Sequence, residues 1–194
     1  GGDLVMILIF GALASLVLGI GMTVSACYIF LAIVLAPAII EGGINPLAAH
    51  LYVLYWGVLS FITPPVAIAA ITASSIANTS ALKTGFLSMR LGSILFFLPV
   101  LFVFDPAMLM QGDVINILAS FSMAVFAIII ISSGFEGYIY FLGKINNVFR
   151  ILCFISGILL LIPNIISKTV GFGILIVMLL LLLFIRFYKK SNYT

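Results

Sequence analysis

No charged residue lies between Asp3 and Glu41, and none between Glu41 and Lys83. The second gap holds one histidine, His50. A chain of 194 residues has too little other material to bury two such stretches, so lipid must cover them. Charge is scarce elsewhere too: 7% of residues are charged and 65% hydrophobic, and mean hydropathy is +1.44. Soluble domains run at roughly 25% charged and 45–50% apolar. Continuous apolar runs read as helices, and the chain reads as an all-α polytopic integral membrane protein. A soluble enzyme, a nucleic-acid-binding domain and a disordered linker are excluded. The net charge of +3 comes from basic residues of the kind that set membrane topology and is no sign of a nucleic-acid partner. Cys27 and Cys153 sit inside apolar runs without paired spacing and read as small core residues. The chain opens on Gly1-Gly2, with no Met and no leader ahead of the apolar runs, so it reads as a fragment of a longer polypeptide.

At about 20 apolar residues per crossing, there is room for about five or six crossings and a short hairpin. Leu4 to Ile20 is apolar, the knot Gly21-Met22-Thr23-Val24-Ser25 interrupts, and Ala26 to Ile40 resumes. The second arm is short for a crossing. The pair reads as a re-entrant hairpin over 4–40 with the knot at its tip, or as two crossings joined by a tight turn. Leu47 to Ala77 is broken at Thr63-Pro64-Pro65. Two prolines remove two amide donors and clash with the preceding turn, so a helix must break there. Non-helical backbone at mid-membrane depth survives only inside protein or beside a water-filled cavity. Two separate helices and a loop are the alternative, although that loop would carry no charge. A helix follows over 86–104. Val114 to Ser132 crosses, Ser133 to Arg150 suits an interfacial helix, Ile151 to Ile166 crosses up to about Pro163, and Val170 to Phe187 crosses again. Lys83, Arg90, Lys144, Arg150, Arg186, Lys189 and Lys190 mark one side by the positive-inside rule. Asp105, Asp113 and Glu41 mark the other, which puts the C-terminus in the cytoplasm. Lys168, in the turn before the last crossing, votes against.

The catalytic inventory is poor. His50 alone makes neither a metal box nor a nucleophile–base pair, and no carboxylate lies well inside a crossing, as a proton pump would need. No enzyme is expected. The two interruptions remain. A hairpin tip of glycines and hydroxyls and a proline-broken helix each release carbonyls. Brought together, they would offer neutral oxygens to a small cation such as sodium, while nearby half-helix N-termini face an anionic substrate. Thr72, Ser74 and Ser75 either face a substrate cavity or serve close helix packing. Arg90 invites a role as a carboxylate clamp, but topology and headgroup contact explain it as well.

The same residues resemble a known family. Gly19-Ile20-Gly21-Met22, Ala26-Cys27-Tyr28-Ile29 and Ala36-Pro37-Ala38 are similar to the large membrane subunit of TRAP (tripartite ATP-independent periplasmic) transporters. So are Pro46-Leu47-Ala48-Ala49-His50, Tyr55-Trp56-Gly57-Val58-Leu59-Ser60 and Ile62-Thr63-Pro64-Pro65-Val66-Ala67. The likeness continues through Lys83-Thr84-Gly85, Arg90-Leu91-Gly92, Leu98-Pro99 and Phe104-Asp105-Pro106-Ala107. The wording is nearest to fused permeases, whose additional C-terminal transmembrane helices would account for 111–194. Residues 1–110 would then be the C-terminal repeat of an inverted-repeat, elevator-type fold, with hairpin 4–40, broken helix 47–77 and helix 86–104. The first repeat and the small-subunit part would lie upstream.

The resemblance implies sodium-coupled import of organic acids across a prokaryotic inner membrane. An extracytoplasmic binding protein would deliver the organic-anion substrate, lipid would surround the helices, and sodium would be the coupling ion with no other cofactor. Carried onto this sequence, the tip candidates are Gly19, Gly21, Met22, Thr23 and Ser25. The break candidates are Gly57, Thr63, Pro64 and Pro65. The family often has Met-Pro-Thr-Thr at the tip, where this chain has Met22-Thr23-Val24-Ser25. The rival reading is a non-transporting membrane scaffold or assembly subunit, in which the breaks are packing devices. The discriminator is whether the two interruptions meet in space.

Overall fold

A computed structural model describes residues 3–140 and 142–191, with side chains described through Phe184. The side chains of Arg186, Lys189 and Lys190, on which the cytoplasmic C-terminus partly rests, lie outside the described residues. The described residues are all-α apart from one two-stranded ribbon, and the chain forms two compact units, 1–111 and 112–194.

In the first unit, Asp3 caps α1 (Leu4–Leu18) and Thr23 caps α2 (Val24–Val34), each through its side-chain oxygen. Pro37 sits in the first turn of α3 (Ala36–Glu41), and Asn45 caps α4 (Pro46–Leu59), whose first residue is a proline. Both prolines stand where a helix has no amide bond to lose. After the break come α5 (Ile68–Ile76), α6 (Ala81–Leu91), a 3-10 turn over Ser93–Phe96 and α7 (Leu98–Phe104). Leu8, Ala12, Cys27, Leu31, Ile39, Ala49, Tyr52 and Val53 form the core where α1, α2, α3 and α4 meet. The buried Tyr52 hydroxyl donates to the Leu8 carbonyl at 2.6 Å.

With 15 and 11 residues, α1 and α2 reach about 22 and 16 Å at 1.5 Å per residue, and α3 lengthens the second arm by 6 residues more, against a hydrocarbon core of about 30 Å. A Cβ on Gly42 would lie 3.3 Å from Leu4 Cδ1, so the chain returns to its starting end. The pair is an antiparallel helical hairpin whose second arm runs on through α3 to Glu41.

Two expectations need correction. Residues 86–104 do not form one helix: the chain bends by 67° between α6 and the segment from Ser93 to Phe104. Gly92 ends α6, and Pro99 enters the first turn of α7. No interfacial helix covers 133–150. α8 (Val114–Glu136) runs on to Gly137, whose φ of +68° stops it. The chain then reverses through β1 (Tyr138–Ile139) and β2 (Gly143–Lys144), with Tyr138 opposite Lys144. Among the described residues, Val114–Glu136 and Ile165–Phe184 are single helices long and apolar enough to span, and the bent pair of α6 with the segment from Ser93 to Phe104 passes the same test together.

The second unit is α8, α9 (Asn147–Leu161) and α10 (Ile165–Ser191) around a core of Ala127, Ile130, Cys153, Leu160, Leu175, Met178 and Leu182. Arg150 is not simply a headgroup residue. Its Nε and Nη2 donate to the carbonyls of Gly134 and Phe135, each at 2.8 Å, where a cation complements the C-terminal end of α8. Lys168 lies inside α10 and not in the turn before it. Both cysteines are free and buried.

Candidate functional site

At the tip, the Gly19 amide bonds to the Ser15 carbonyl at 2.9 Å and Ile20 tightens onto Val17 at 3.2 Å. Gly21 then turns the chain at φ +77°, a region open to glycine at no steric cost. The Thr23 hydroxyl accepts from the Ala26 amide at 3.3 Å and starts α2. Gly19 is buried. A Cβ there would collide with the Gly57 carbonyl oxygen and lie 2.6 Å from Ser60 Oγ. Gly57 is crowded in turn, since a Cβ on it would lie 2.9 Å from Cys27 Sγ. The tip therefore sits directly on the end of α4. Leu8 pairs with Tyr52 and Gly19 with Gly57, so α1 and α4 run in the same direction.

The break follows from the prolines. In a continued helix, Ser60 and Phe61 would give their carbonyls to the amides of residues 64 and 65, but both are prolines and have none. Phe61 accepts instead from Ala69, at 3.1 Å. Among the described residues, no backbone amide reaches the Ser60 carbonyl. The last turn of α4 tightens to i−3 bonds: Ser60 to Gly57, Phe61 to Val58 and Ile62 to Leu59. Ser60 Oγ donates to the Gly57 carbonyl and Thr63 Oγ1 to the Leu59 carbonyl, both at 2.7 Å. The Pro64–Pro65 bond is cis, and Ala67 takes a left-handed conformation before α5 begins.

The structure brings some of the expected residues together and leaves others apart. Gly19 and Gly57 touch, and Met22 packs against the core beside them. Thr63 and Pro64 are half-buried and Pro65 is exposed. Gly21, Thr23 and Ser25 lie on the exposed side of the tip, and the Thr23 hydroxyl is spent on its own helix. Thr72, Ser74 and Ser75 return their hydroxyls to the carbonyls of Ile68 and Ile71, as hydroxyls in apolar helices do when no other partner is at hand. Ser74 is buried, while Thr72 and Ser75 are exposed.

Three participants escaped the sequence reading. Ser60 is 4% exposed and lies against Gly19; its position one turn before Thr63 was the available signal. Gly85 and Gly92 press on the break from α6, and only their spacing of two turns hinted at it.

Charge is separated along this unit. Asp3 and Glu41 share the hairpin's open end, because Gly42 lies against Leu4. The turn that Asp105 opens reaches the start of α4, where Asn45 Nδ2 donates to Gln111 Oε1 at 3.0 Å. Lys83 and Arg90 are on α6. Tip and break carry only neutral oxygens. No group of three His, Cys, Asp or Glu suited to a metal ion occurs among the described residues. His50 is a packed histidine, with Nδ1 3.2 Å from the Tyr28 hydroxyl. Chemically, the tip and break can offer carbonyls and hydroxyls to a singly charged cation, and they lack the carboxylates that a divalent ion favours.

A family model described as "Tripartite ATP-independent periplasmic transporter, DctM component" matches residues 1–117. The match takes in the hairpin, the break and the bend. No curated protein and no solved structure matches.

Proposed function

We propose a function from one premise: this chain belongs to the DctM family, the large membrane component of tripartite ATP-independent periplasmic transporters. It is a multi-pass membrane protein of a transporter family, not of an enzyme family. Our reading is that residues 1–110 form a transport repeat that binds sodium between tip and break, and that sodium binding orders the hairpin for organic-acid uptake. An extracytoplasmic binding protein delivers the substrate. Residues 111–194 add helices to that repeat, and the protein resides in the inner membrane with its C-terminus in the cytoplasm. The charge separation between the hairpin's open end and α6 supports that orientation.

The observation that carries this reading is the seating of Gly19 on the Gly57 carbonyl and Ser60. It joins two stretches of interrupted backbone, and a packing scaffold has no need of interrupted backbone at that point. The N-termini of α2 and α5 open next to the interruptions, which suits an anionic substrate.

The test is Thr63→Val in the intact permease, with Thr63→Ser as control. Sodium-driven organic-acid uptake into vesicles is measured with the binding protein present. Thr63→Val is expected to raise the half-saturating sodium concentration about tenfold, a loss of about 1.4 kcal/mol, at near-normal abundance. Thr63→Ser keeps the oxygen and should stay close to wild type. Unchanged sodium dependence in Thr63→Val would remove the ion from this place.

A further inference from the structure

We infer that α6 is a third wall of the cation site and that Gly92, aided by Gly85, is a positioning residue that holds the break against the tip. The inference rests on the sodium reading above. Gly85 lies in the middle of α6 and Gly92 ends it with φ −87°, so neither backbone requires glycine. What both positions require is closeness. A Cβ on Gly85 would lie 2.8 Å from Pro64 Cγ, and a Cβ on Gly92 would lie 2.8 Å from Ile62 Cδ1. Those two neighbours flank Thr63 on either side. The hairpin tip meets the same segment at Gly57 and Ser60. The stretch from Gly57 to Pro64 is thus gripped by two separate elements, and Thr63 lies inside the α6 grip.

The grip is tied to the rest of the unit. Beyond Gly92 the chain bends by 67°. Phe96 in the 3-10 turn meets Trp56 edge-on at 5.8 Å, and Phe102 in α7 meets Tyr55 at 5.3 Å. A displacement of α6 is therefore transmitted to Ile62 and Pro64 while α4 is held by α7. The break keeps short bonds from Phe61 to Val58, Ile62 to Leu59 and Ala67 to Thr63, but among the described residues no backbone amide reaches the Ser60 carbonyl, so the position of that oxygen is set by these neighbours. An added methyl at Gly92 meets Ile62 Cδ1, the flexible end of that side chain, so the push reaches the break only as far as packing holds Ile62 in place, and replacing Ile62 by Val deletes the atom being pushed.

The purified intact permease is melted across a sodium titration, with potassium replacing sodium at constant ionic strength. The sodium concentration giving half of the stabilisation is the readout. Gly92→Ala is expected to raise that concentration about fivefold, and Gly92→Ala with Ile62→Val to bring it back to within about twofold of wild type, as a directly coupled pair should. If Gly92→Ala lowers the melting temperature equally in both salts at unchanged half-saturation, α6 only packs and the inference falls. If Ile62→Val fails to restore the response, the contact is not the route, and the inference falls as well. If the wild-type protein shows no sodium-specific stabilisation, the sodium reading itself fails, a result distinct from the other two. Should Gly92→Ala not accumulate, Ile62→Val alone decides: a two- to threefold weaker response, as roughly expected for a loosened contact, supports the grip, and an unchanged one overturns it.

Discussion

The glycines at helix contacts differ between the two units, Gly85 apart, which like Gly157 lies inside a regular helix. In the second unit, Gly157 and Gly171 sit within regular helices and let helices approach. A Cβ on Gly157 would strike Ile131, and one on Gly171 would lie 3.1 Å from the Ser156 carbonyl and from Leu160 Cγ. The backbone there stays helical, so the approach releases no carbonyl. In the first unit, Gly19, Gly57 and Gly92 stand at or beside places where the helix stops, and close approach coincides with unsatisfied backbone. The longest helices are in the second unit: α8 has 23 residues and α10 has 27, whereas α1 has 15 and α2 has 11, although α9 at 15 is no longer than α1. Small residues at helix contacts are common in membranes. It is their coincidence with interruptions that separates a candidate site from ordinary packing.

The largest expected effect tests that division directly. Gly19→Ala forces a methyl into the Gly57 carbonyl, and Gly157→Ala forces one into Ile131. Overpacking of this kind costs about 1–3 kcal/mol, so both variants should melt earlier. Only Gly19→Ala should also lose sodium-dependent stabilisation, by about tenfold or more in half-saturating sodium. Melting curves of the intact permease in sodium and in potassium measure both effects at once. A sodium defect in Gly157→Ala would break the comparison.

Arg150→Met comes next. It removes two charge-assisted hydrogen bonds to the carbonyls of Gly134 and Phe135 and keeps much of the apolar stem. The expected loss is about 2 kcal/mol, with faster amide exchange concentrated over 134–145 and no change in sodium response. Uniform exchange across all three helices of the unit would show that the cap does not act locally.

Much of this architecture was legible because lipid makes charge and interruption costly. The gaps between Asp3, Glu41 and Lys83 announce buried or lipid-facing helix, and the Gly21–Ser25 knot and Thr63-Pro64-Pro65 announce where it stops. The bend at Gly92 was only half legible: Gly92, Ser93 and Pro99 interrupt the apolar run Leu91 to Phe104, but a glycine in such a run is compatible with a straight helix. At the bend Gly92 packs against Ile62 and Phe96 against Trp56, contacts that no sequence pattern shows. The ribbon over 138–144 was missed for a related reason. Glu136, Lys144 and Arg150 suggested a polar helix face, whereas Gly137 and Gly143, both at positive φ, turn the chain, and Arg150 points back along α8 and not outward. Among the candidate site residues, Thr63 and Gly19 stand out in the sequence by motif and composition. Ser60 does not, because its importance lies in what Gly19 brings against it.

The smallest effect compares two serines of nearly identical chemistry. Ser60 Oγ donates to the Gly57 carbonyl at 2.7 Å, and Ser156 Oγ donates to the Gly171 carbonyl at 2.8 Å. Both side chains are buried. The first bond stays within its own helix end, while the second joins α9 to α10. Hydrogen bonds between membrane helices average about 0.6 kcal/mol, so Ser156→Ala should lower stability by that order and nothing else. Ser60→Ala loses a bond that its own turn partly replaces, because the Ser60 amide also reaches the Gly57 carbonyl, at 3.3 Å. Its stability cost should be smaller still. Yet the deleted hydroxyl lies between the tip and the break, so half-saturating sodium should rise by about two- to threefold even where the melting temperature in potassium barely moves. A stability loss in Ser60→Ala matching that of Ser156→Ala, with sodium response intact, would make Ser60 a packing serine like its counterpart and confine the ion's oxygens to Thr63 and the freed carbonyls.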